Sequence, residues 1–474
     1  MYRSRRTGVS RVRRVVTAMS LFLSFVVVSQ VRIASQFGGS SQFGGSFGTR
    51  AVDPGVRTGA AGAGDPLTGL TAGQAEYFTA GQADFAEAET VADGLGPRMN
   101  LDSCAGCHSQ PALGGSSPAV NPQFAFATAG SGDRVPSFIT ADGPVREARF
   151  VANPDGTPDG GVHALFTITG RDGASGCTLA QPDFATQVAN HNVIFRIPTP
   201  TFGAGLIEQI PDRSLLANQA SDAPAKQSLG IRGRPNFHVA GRTVTGQTNN
   251  NGNDGTIARF GWKAQNKSML LFSGEAYNVE MGITNELFQT EREETRSCQF
   301  ASMPNSITNP DATDGVDVLN SIEKFSMFMR FLAAPTPSTN TPGGAQSITN
   351  GKALFASTGC ALCHTPSFTT STSAVASLSR QQVNLFSDLL IHDMGDGLAD
   401  GISQGEAGPR EFRTAPLWGL GQRIFFLHDG RTSNLITAIR AHSSNGSEAN
   451  GVVGNFMNLS ESQKQDLLNF LRSL

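Results

Sequence analysis

Two C-x-x-C-H motifs, at residues 104–108 and 360–364, constrain this chain more than any other feature. In such a motif the two thiols add to the vinyl groups of a haem and the adjacent histidine reaches the iron. Zinc knuckles and thioredoxin-like pairs are the alternatives, but neither needs a histidine twice at the same offset. We therefore expect two covalently bound haem c groups, with the following attachment and iron-binding residues: Cys104, Cys107 and His108, and Cys360, Cys363 and His364.

The N-terminal segment predicts export. Residues 1–34 carry seven arginines and no acidic residue, and an apolar stretch of 14 residues follows at 15–28. A spanning helix needs ~20 apolar residues, so this pattern is typical of a secretory signal peptide. An uncleaved anchor is the alternative, because no clear cleavage site follows. We expect a periplasmic or cell-envelope protein, with membrane contact only if the segment is retained.

The charge of the mature chain limits its partners. Without the seven arginines of residues 1–34, the formal net charge changes from −3 to −10. An acidic chain with no basic stripe is a poor binder of nucleic acid. Small redox substrates, or redox proteins that donate or accept electrons, are the expected partners.

Composition divides the chain into segments. The hexapeptide SQFGGS occurs twice at 35–46, and the bias to Gly, Ala and Pro continues to residue 64, which predicts a flexible linker at 35–64. The run PTPSTNTPGG at 335–344 predicts a second linker. We therefore expect an N-terminal haem domain at 65–334 and a C-terminal cytochrome c domain at 345–474.

The same order of elements occurs in both predicted domains. The segment AGQADF at 80–85 is echoed by NGKALF at 350–355, and each precedes a haem motif. Capping boxes are predicted at Thr71/Gln74 and at Ser460/Gln463, and residues 316–334 have helical apolar spacing. A helix, a haem motif and a closing helix thus occur twice.

The region at about 111–258 differs and is predicted to be an insertion in the first domain. VREARF at 145–150 and VHALFTITG at 162–170 indicate short strands between turns. NNNGNDG at 249–255 lacks the spacing of a calcium loop and favours an exposed turn. The expected fold is mainly α, with two cytochrome c-like domains and short β-strands in the insertion.

Cys177 and Cys298 are the cysteines outside the haem motifs. In an oxidising compartment, a leftover pair is most simply a disulfide. Two separate buried thiols are the alternative. A bond would tie the insertion to the segment that precedes residues 316–334.

Several longer segments carry a family resemblance: DGLGPRMNLDSCAGCH, RFGWKAQNKS, MGIT, SDLLIHDMGDGLAD, FRTAPLWGLG and FLHDGRTSNLITAIRAH. From about residue 65 onward the chain resembles the di-haem oxidoreductases, which are described as peroxidases, are sometimes labelled thiol oxidoreductases, and are related to bacterial di-haem cytochrome c peroxidases. The resemblance implies electron entry at the C-terminal haem and reduction of peroxide at the N-terminal haem. A non-catalytic electron carrier with both irons six-coordinate is the alternative.

The resemblance also implies roles for two residues. In the peroxidases, a residue 14 places after the histidine of an F-H-D-G motif ligates the C-terminal iron, and here that offset from His428 gives His442. The peroxidases usually have methionine there, so His442 implies a bis-His haem of lower potential, unless it is a surface residue. The segment NVEMG at 278–282 matches the peroxidase P-V-E-M-G, whose glutamate acts beside the peroxide site. Glu280 is therefore the candidate catalytic acid/base, and a solvated helix glutamate is the alternative.

Two features do not follow simply from the resemblance. Peroxidases carry a distal histidine shortly after the first haem motif, whereas the next histidine after His108 is His163. The N-terminal iron is then either open or closed by a distant residue, for which the candidates are His191, His238, His392 or a methionine. The resemblance places Trp262 near the position where the peroxidases keep an aromatic residue between the haems, but a core role is favoured for it, and Trp418 has the same two alternatives.

Overall fold

The computed structural model describes residues 50–129, 132–237, 243–244, 247–248, 257–293, 295–337 and 342–474. The predicted signal segment at 1–34, the repeats at 35–46, His238 and the NNNGNDG segment lie outside these ranges. Within them, no helix is long and apolar enough to cross a membrane.

Helices dominate the described part of the chain, which confirms the mainly α prediction. The thirteen α-helices found there are α1 (Ala72–Ala86), α2 (Cys104–Cys107), α3 (Pro122–Thr128), α4 (Phe184–Ala189), α5 (Ala204–Glu208), α6 (Asp212–Ala220), α7 (Ala223–Leu229), α8 (Met269–Met281), α9 (Ser321–Phe331), α10 (Gly344–Ser357), α11 (Leu435–Ala441), α12 (Asn450–Met457) and α13 (Glu461–Ser473).

The strands are short and pair only in antiparallel twos within the described residues. The pairs are β1 (Arg98–Met99) with β3 (Phe166–Thr167), β2 (Glu147–Phe150) with β4 (Val193–Arg196), β5 (Asn236–Phe237) with β8 (Ile257–Ala258), β6 (Thr243–Val244) with β7 (Gln247–Thr248), β9 (Phe368–Thr369) with β10 (Gln382–Val383), and β11 (Ile391–Asp393) with β12 (Glu411–Arg413). Strands β2 and β3 lie inside the two segments predicted as strands, and both are shorter than predicted.

Side-chain caps decide where the main helices begin. The capping boxes predicted at Thr71/Gln74 and Ser460/Gln463 are both formed. Helix α9 begins at Ser321 rather than at residue 316, because Asn320 caps it: the Asn320 side chain accepts from the Glu323 amide (2.9 Å), and the Glu323 carboxylate accepts from the Asn320 amide (3.1 Å). The predicted start is therefore wrong by about one turn.

The repeated order of elements appears as two similar helix pairs. Helix α1 packs against α9, and α10 packs against α13. Gly81 and Gly351, which occupy the same place in the echoed segments, lie at the two crossings, where an added Cβ would overlap the carbonyl oxygens of Lys324 and Asp466. Each crossing therefore requires glycine for close approach of the helices.

Two large apolar clusters form the core. The first centres on α1 and α9 and includes Phe78, Phe325 and Phe328, whereas the second centres on α10 and α13. The first cluster also contains Leu385, Leu389 and Trp418, which lie beyond the predicted linker. Residues from both sides of residues 335–344 therefore share one core.

Within the segment 35–64, predicted as a flexible linker, residues 51–57 pack beside helix α13, whereas Ala63 packs against the first cluster. Asp53 forms an ion pair with Arg472 (2.8 Å), and both side chains are almost fully buried. The Arg57 amide donates to the Gly421 carbonyl (2.9 Å), and the Ala51 amide donates to the Glu461 carboxylate (2.8 Å). These charged partners, absent from the SQFGGS repeats, fix the segment.

Candidate haem sites

The first C-x-x-C-H motif forms the short helix α2, with Ser103 as its N-cap residue. Both thiols are free and partly buried, and the His108 amide donates to the Cys104 carbonyl (2.9 Å). The His108 Nδ1 lies 2.9 Å from the Gly115 carbonyl, which can only accept. Nδ1 therefore carries the proton, as in a histidine that ligates a metal through Nε2, and the Thr199 backbone also lies within hydrogen-bond reach of the ring.

A cavity of about 170 Å³ lies beside this motif. Its wall contains Cys104, Cys107 and His108 together with Glu147 and Glu280. Burial lowers the pKa of His108, so its imidazole is neutral and suited to coordination. Two free thiols and a neutral imidazole on one wall of a cavity fit a covalently attached haem.

Glu280 lies in the last turn of α8 and is held by one residue. The Asn100 side-chain amide donates to its carboxyl oxygen (2.6 Å), and the Asn100 backbone amide donates to its carbonyl (2.6 Å). Burial, and then the nearby Glu147 carboxylate, raise the pKa of Glu280 well above its usual range. Glu280 therefore lines the cavity as a carboxylic acid rather than lying on a solvated helix face.

Glu147 reaches the same cavity from strand β2. Arg149 binds it through Nε (2.6 Å), and the two side chains lie on one face of the strand at positions i and i+2. Although burial opposes ionisation, the Arg149 guanidinium holds the pKa of Glu147 well below its usual range. Two carboxyl groups of opposite protonation state thus face the first cavity.

Two of the histidines considered as a sixth ligand of the N-terminal iron lie away from the first cavity. His191 is exposed and does not line the first cavity, and His392 lines the other cavity. Among the described residues that line the first cavity, His108 is the one histidine, whereas Met281 and Met329 both line it.

The second motif begins with a 3₁₀ turn at Cys360–Leu362 and borders a cavity of about 220 Å³. His364 Nδ1 donates to the Phe386 carbonyl (3.0 Å), and His442 Nδ1, at the end of α11, donates to the Ala438 carbonyl (2.7 Å). Burial, and then the nearby His442, lower the pKa of His364 to about 4. Both rings line this cavity with Nε2 free, as a bis-His haem requires.

Charged groups interrupt an otherwise apolar wall of the second cavity. Arg413 and Arg423 line it, and burial lowers the pKa of each to about 10. Such cations suit the propionate groups of a porphyrin. His392 lies between Asp388 (3.0 Å) and Glu448 (2.9 Å), with its ring 3.8 Å from the Cys363 sulfur. These two carboxylates hold His392 in the wall behind the second motif.

Trp262 lines both cavities. Its indole N–H donates to the Ile197 carbonyl (2.8 Å), and its ring meets His428 edge-on at 6.4 Å between centroids. Trp418, by contrast, is buried in the first apolar cluster and lines neither cavity. The two tryptophans therefore differ in position, and only Trp262 borders both sites.

Cys177 and Cys298 are joined by a disulfide, with a Cα–Cα distance of 4.6 Å. The bond links the insertion to the segment that precedes α9, and both residues belong to the first apolar cluster.

Comparison with known families decides the class of the chain. Residues 150–474 match the family described as "Di-haem oxidoreductase, putative peroxidase". The chain belongs to the di-haem oxidoreductase family. It is thus an oxidoreductase of the peroxidase-like class, and its family implies two haems. No curated protein matches the chain.

Solved structures similar to this di-haem oxidoreductase include a hydrazine synthase and a diheme peroxidase. Hydrazine synthase from Kuenenia stuttgartiensis is 12% identical over 94% of this chain and 100% of its own, with a TM-score of 0.35. The diheme peroxidase BthA from Burkholderia thailandensis is 18% identical over 45% of this chain and 65% of its own, with a TM-score of 0.27. A point variant of BthA is 16% identical, over 58% and 86% of the two chains, with a TM-score of 0.26.

Sequence reasoning missed the charged cluster of this di-haem oxidoreductase. The sequence pattern places Glu147 and Arg149 in a strand but indicates no role for them. It does not indicate Arg196, which pairs with Asp400 (2.6 Å). The available signal was the Glu-x-Arg spacing inside VREARF, since two charges on one face of a half-buried strand must find partners.

Proposed function

We propose that this chain is an exported di-haem c-type cytochrome that reduces peroxide at its N-terminal haem. Electrons enter at a C-terminal haem attached to Cys360 and Cys363 and pass to an N-terminal haem attached to Cys104 and Cys107. Export rests on the arginine-rich and apolar N-terminal segment, because covalent haem attachment requires the apoprotein outside the cytoplasm.

One observation carries the peroxidase assignment. Glu280 shares a cavity with Cys104, Cys107 and His108, and no second histidine lines that cavity among the described residues. A cavity that holds His108 without a second histidine, and that contains a buried carboxylic acid, would suit a peroxide-reducing haem held by His108. Closure by Met281 or Met329 would instead give the electron carrier.

The chain's own residues position and protonate the substrate. Bound haem would supply electrons and an iron that accepts peroxide as a ligand. Asn100 holds the Glu280 carboxyl at 2.6 Å, so the acid group has a fixed position in the cavity. A positioned acid protonates the outer peroxide oxygen, which lets water leave as the O–O bond breaks.

The second site suits electron entry. His364 and His442 both have their Nδ1 atoms tied to backbone carbonyls, so two imidazoles are presented to one iron. Two strong ligands leave no position for a substrate, which fits electron transfer rather than catalysis. Trp262 is the one residue, among those described, that lines both cavities, and it is the candidate to couple the two centres. The donor is a redox protein, for which an acidic chain favours a basic partner.

Glu280→Gln tests this proposal. The variant keeps the shape and the hydrogen bond from Asn100 but cannot deliver the proton, so peroxide turnover should fall about 100- to 10,000-fold. Turnover is measured with an artificial donor after reduction of the C-terminal haem, and haem content and potentials should stay near those of the wild type.

Glu208→Gln is the control. Glu208 has a side-chain exposure of 15% and binds Arg330 at 2.6 Å, but it lines neither cavity. Its turnover should match that of the wild type. Wild-type protein that ignores peroxide, with no high-spin signal that shifts on addition of cyanide, would establish the carrier function instead.

A further inference from the structure

We propose that Glu147 and Glu280 act as a carboxyl pair that holds a single proton, with Glu147 as the base and Glu280 as the acid of peroxide reduction. This inference rests on the proposed function and deepens it, because it assigns a second carboxyl group to the same site. Nothing in the peroxidase-like NVEMG segment indicates Glu147, which comes from the insertion.

The two carboxyl groups meet in the first cavity from different elements. Glu147 belongs to strand β2 and Glu280 to the last turn of α8, and both line the cavity beside Cys107 and His108. Their side chains are close enough for a hydrogen bond between them. Two carboxylates at such a distance cannot both be ionised in a buried site, so one proton is shared.

The neighbours decide which group is ionised. Arg149, whose side chain is almost fully buried, binds Glu147 at 2.6 Å, whereas Glu280 accepts from the neutral amide of Asn100. Arg292 is also near Glu280, but its guanidinium donates to the carbonyls of Val279 and Val162. The proton therefore resides on Glu280, and Glu147 remains a carboxylate.

The other partners of Arg149 and of Arg196 keep Arg149 beside Glu147. Arg149 also donates to the Gly160 carbonyl (3.0 Å), so both ends of its guanidinium are engaged. The next arginine, Arg196, is occupied by the Asp400 carboxylate (2.6 Å), which also binds Lys263 (3.0 Å). Arg196 keeps this buried partner, and its charge adds to that of Arg149 in holding Glu147 ionised, so the pair keeps one negative charge and one proton.

The proton balance of the reaction follows from this arrangement. Glu147 accepts the proton of the inner peroxide oxygen, and Glu280 gives its proton to the outer oxygen. The O–O bond breaks, the outer oxygen leaves as water, and the two electrons come from the two haem centres of the proposed function. The pair again holds one proton, and two protons from solvent complete the second water, so that peroxide, two electrons and two protons give two waters.

Infrared spectroscopy of the folded holoprotein tests the pair without using activity. A protonated carboxyl group has a C=O stretching absorption that a carboxylate lacks, and subtracting the spectrum of a variant from that of the wild type at about pH 7 isolates the absorption of one group. Glu89 and Glu291, whose pKa values burial raises to about 7, contribute equally to both spectra and cancel.

Three variants and one control test the pair. Glu280→Gln should lose one carboxylic-acid absorption, because Arg149 keeps Glu147 ionised. Glu147→Gln should lose the same absorption, because Glu280 is then freed from the repulsion of the Glu147 carboxylate and ionises beside Arg149, which Glu275 also neighbours. Glu147→Asp keeps a carboxylate beside Arg149 and should keep the absorption, as should the control Glu208→Gln.

One result overturns the pair: a Glu147→Gln protein that retains the absorption, since burial alone would then protonate Glu280. If that variant does not fold, Arg149→Lys, which retains the positive charge, replaces it; a shift in the frequency of the Glu280 absorption is expected, and an unshifted absorption contradicts the pair. Peroxide turnover by the wild type tests the proposed function separately. A protein with the paired absorption but no turnover would refute the peroxidase and leave the pair standing.

Discussion

His364 and His442 line one apolar cavity, each with Nδ1 bonded to a backbone carbonyl, and the nearby His442 adds to the effect of burial in lowering the pKa of His364 to about 4. The rings are therefore neutral throughout the physiological range. Neutral imidazoles with free Nε2 atoms can coordinate iron at any pH at which the protein works.

Replacing His442 by methionine should raise the reduction potential of the C-terminal haem. A thioether favours ferrous iron more than an imidazole does, and axial ligands set haem potentials over a range of ~0.8 V. Redox titration followed by optical spectroscopy measures the change. His191→Met is the control, because His191 is exposed and lines neither cavity. Unchanged spectra and potentials in His442→Met would remove His442 from the ligands.

Denatured protein should retain two haems. Covalent attachment through Cys104, Cys107, Cys360 and Cys363 adds the mass of two haems to the chain, which mass spectrometry of the denatured protein measures directly. Replacing both cysteines of one motif by alanine should remove one haem and leave the other. A wild-type mass with one haem or none contradicts the covalent assignment.

The Cys177–Cys298 bond should contribute strongly to stability. It closes a loop of 121 residues, for which loop-closure entropy gives about 5 kcal/mol. Replacing both cysteines by alanine should lower the free energy of unfolding by about 2 to 5 kcal/mol in denaturant titrations. Peptide mapping without reductant should find the linked peptides, and alkylation of both thiols in unreduced protein would disprove the bond.

Glu89 should make the protein less stable as the pH rises. Burial raises its pKa to about 7, and the Tyr277 hydroxyl donates to it at 2.6 Å. Because the folded protein binds this proton more tightly than the unfolded chain, the free energy of unfolding falls between about pH 4.5 and 7, by at most about 3 kcal/mol and by less for a partly hydrated group.

Glu89→Gln should flatten that part of the stability curve. Urea titrations at several pH values compare the variant with the wild type and with Glu76→Gln, which replaces an exposed glutamate of α1. Equal pH dependence of the wild type and Glu89→Gln over this range would show that Glu89 is not protonated in the folded state, because the other titrating groups contribute equally to both curves.

Local features of the fold were predictable from sequence. The capping boxes at Thr71 and Ser460 depend on residues three places apart, so the sequence contains all of their information. Apolar spacing alone does not mark the start of α9, because it continues through Val318 and the Asn320 cap comes later. Strands β2 and β3 lie in predicted segments, but their ends depend on the partner strand and could not be bounded from sequence.

The charged part of the candidate site was not predictable in the same way. Glu147 and Glu280 lie 133 residues apart in the chain, and they share a cavity because β2 pairs with β4 and because α8 ends near Asn100. Periodicity shows that Glu147 and Arg149 share a face of a strand, but it does not show what that face meets. The motif residues were found because covalent haem chemistry fixes their spacing.

The ion pair between Asp53 and Arg472 determines how far the chain can be shortened. A protein that begins at residue 65, the predicted domain start, would lack Asp53 and leave the Arg472 guanidinium buried without a counter-charge. Helix α13 packs against α10, the helix that precedes the second haem motif. It would then carry an unpaired cation on its buried side. The shortest part of the chain expected to fold therefore starts near residue 50, before the predicted domain start at residue 65.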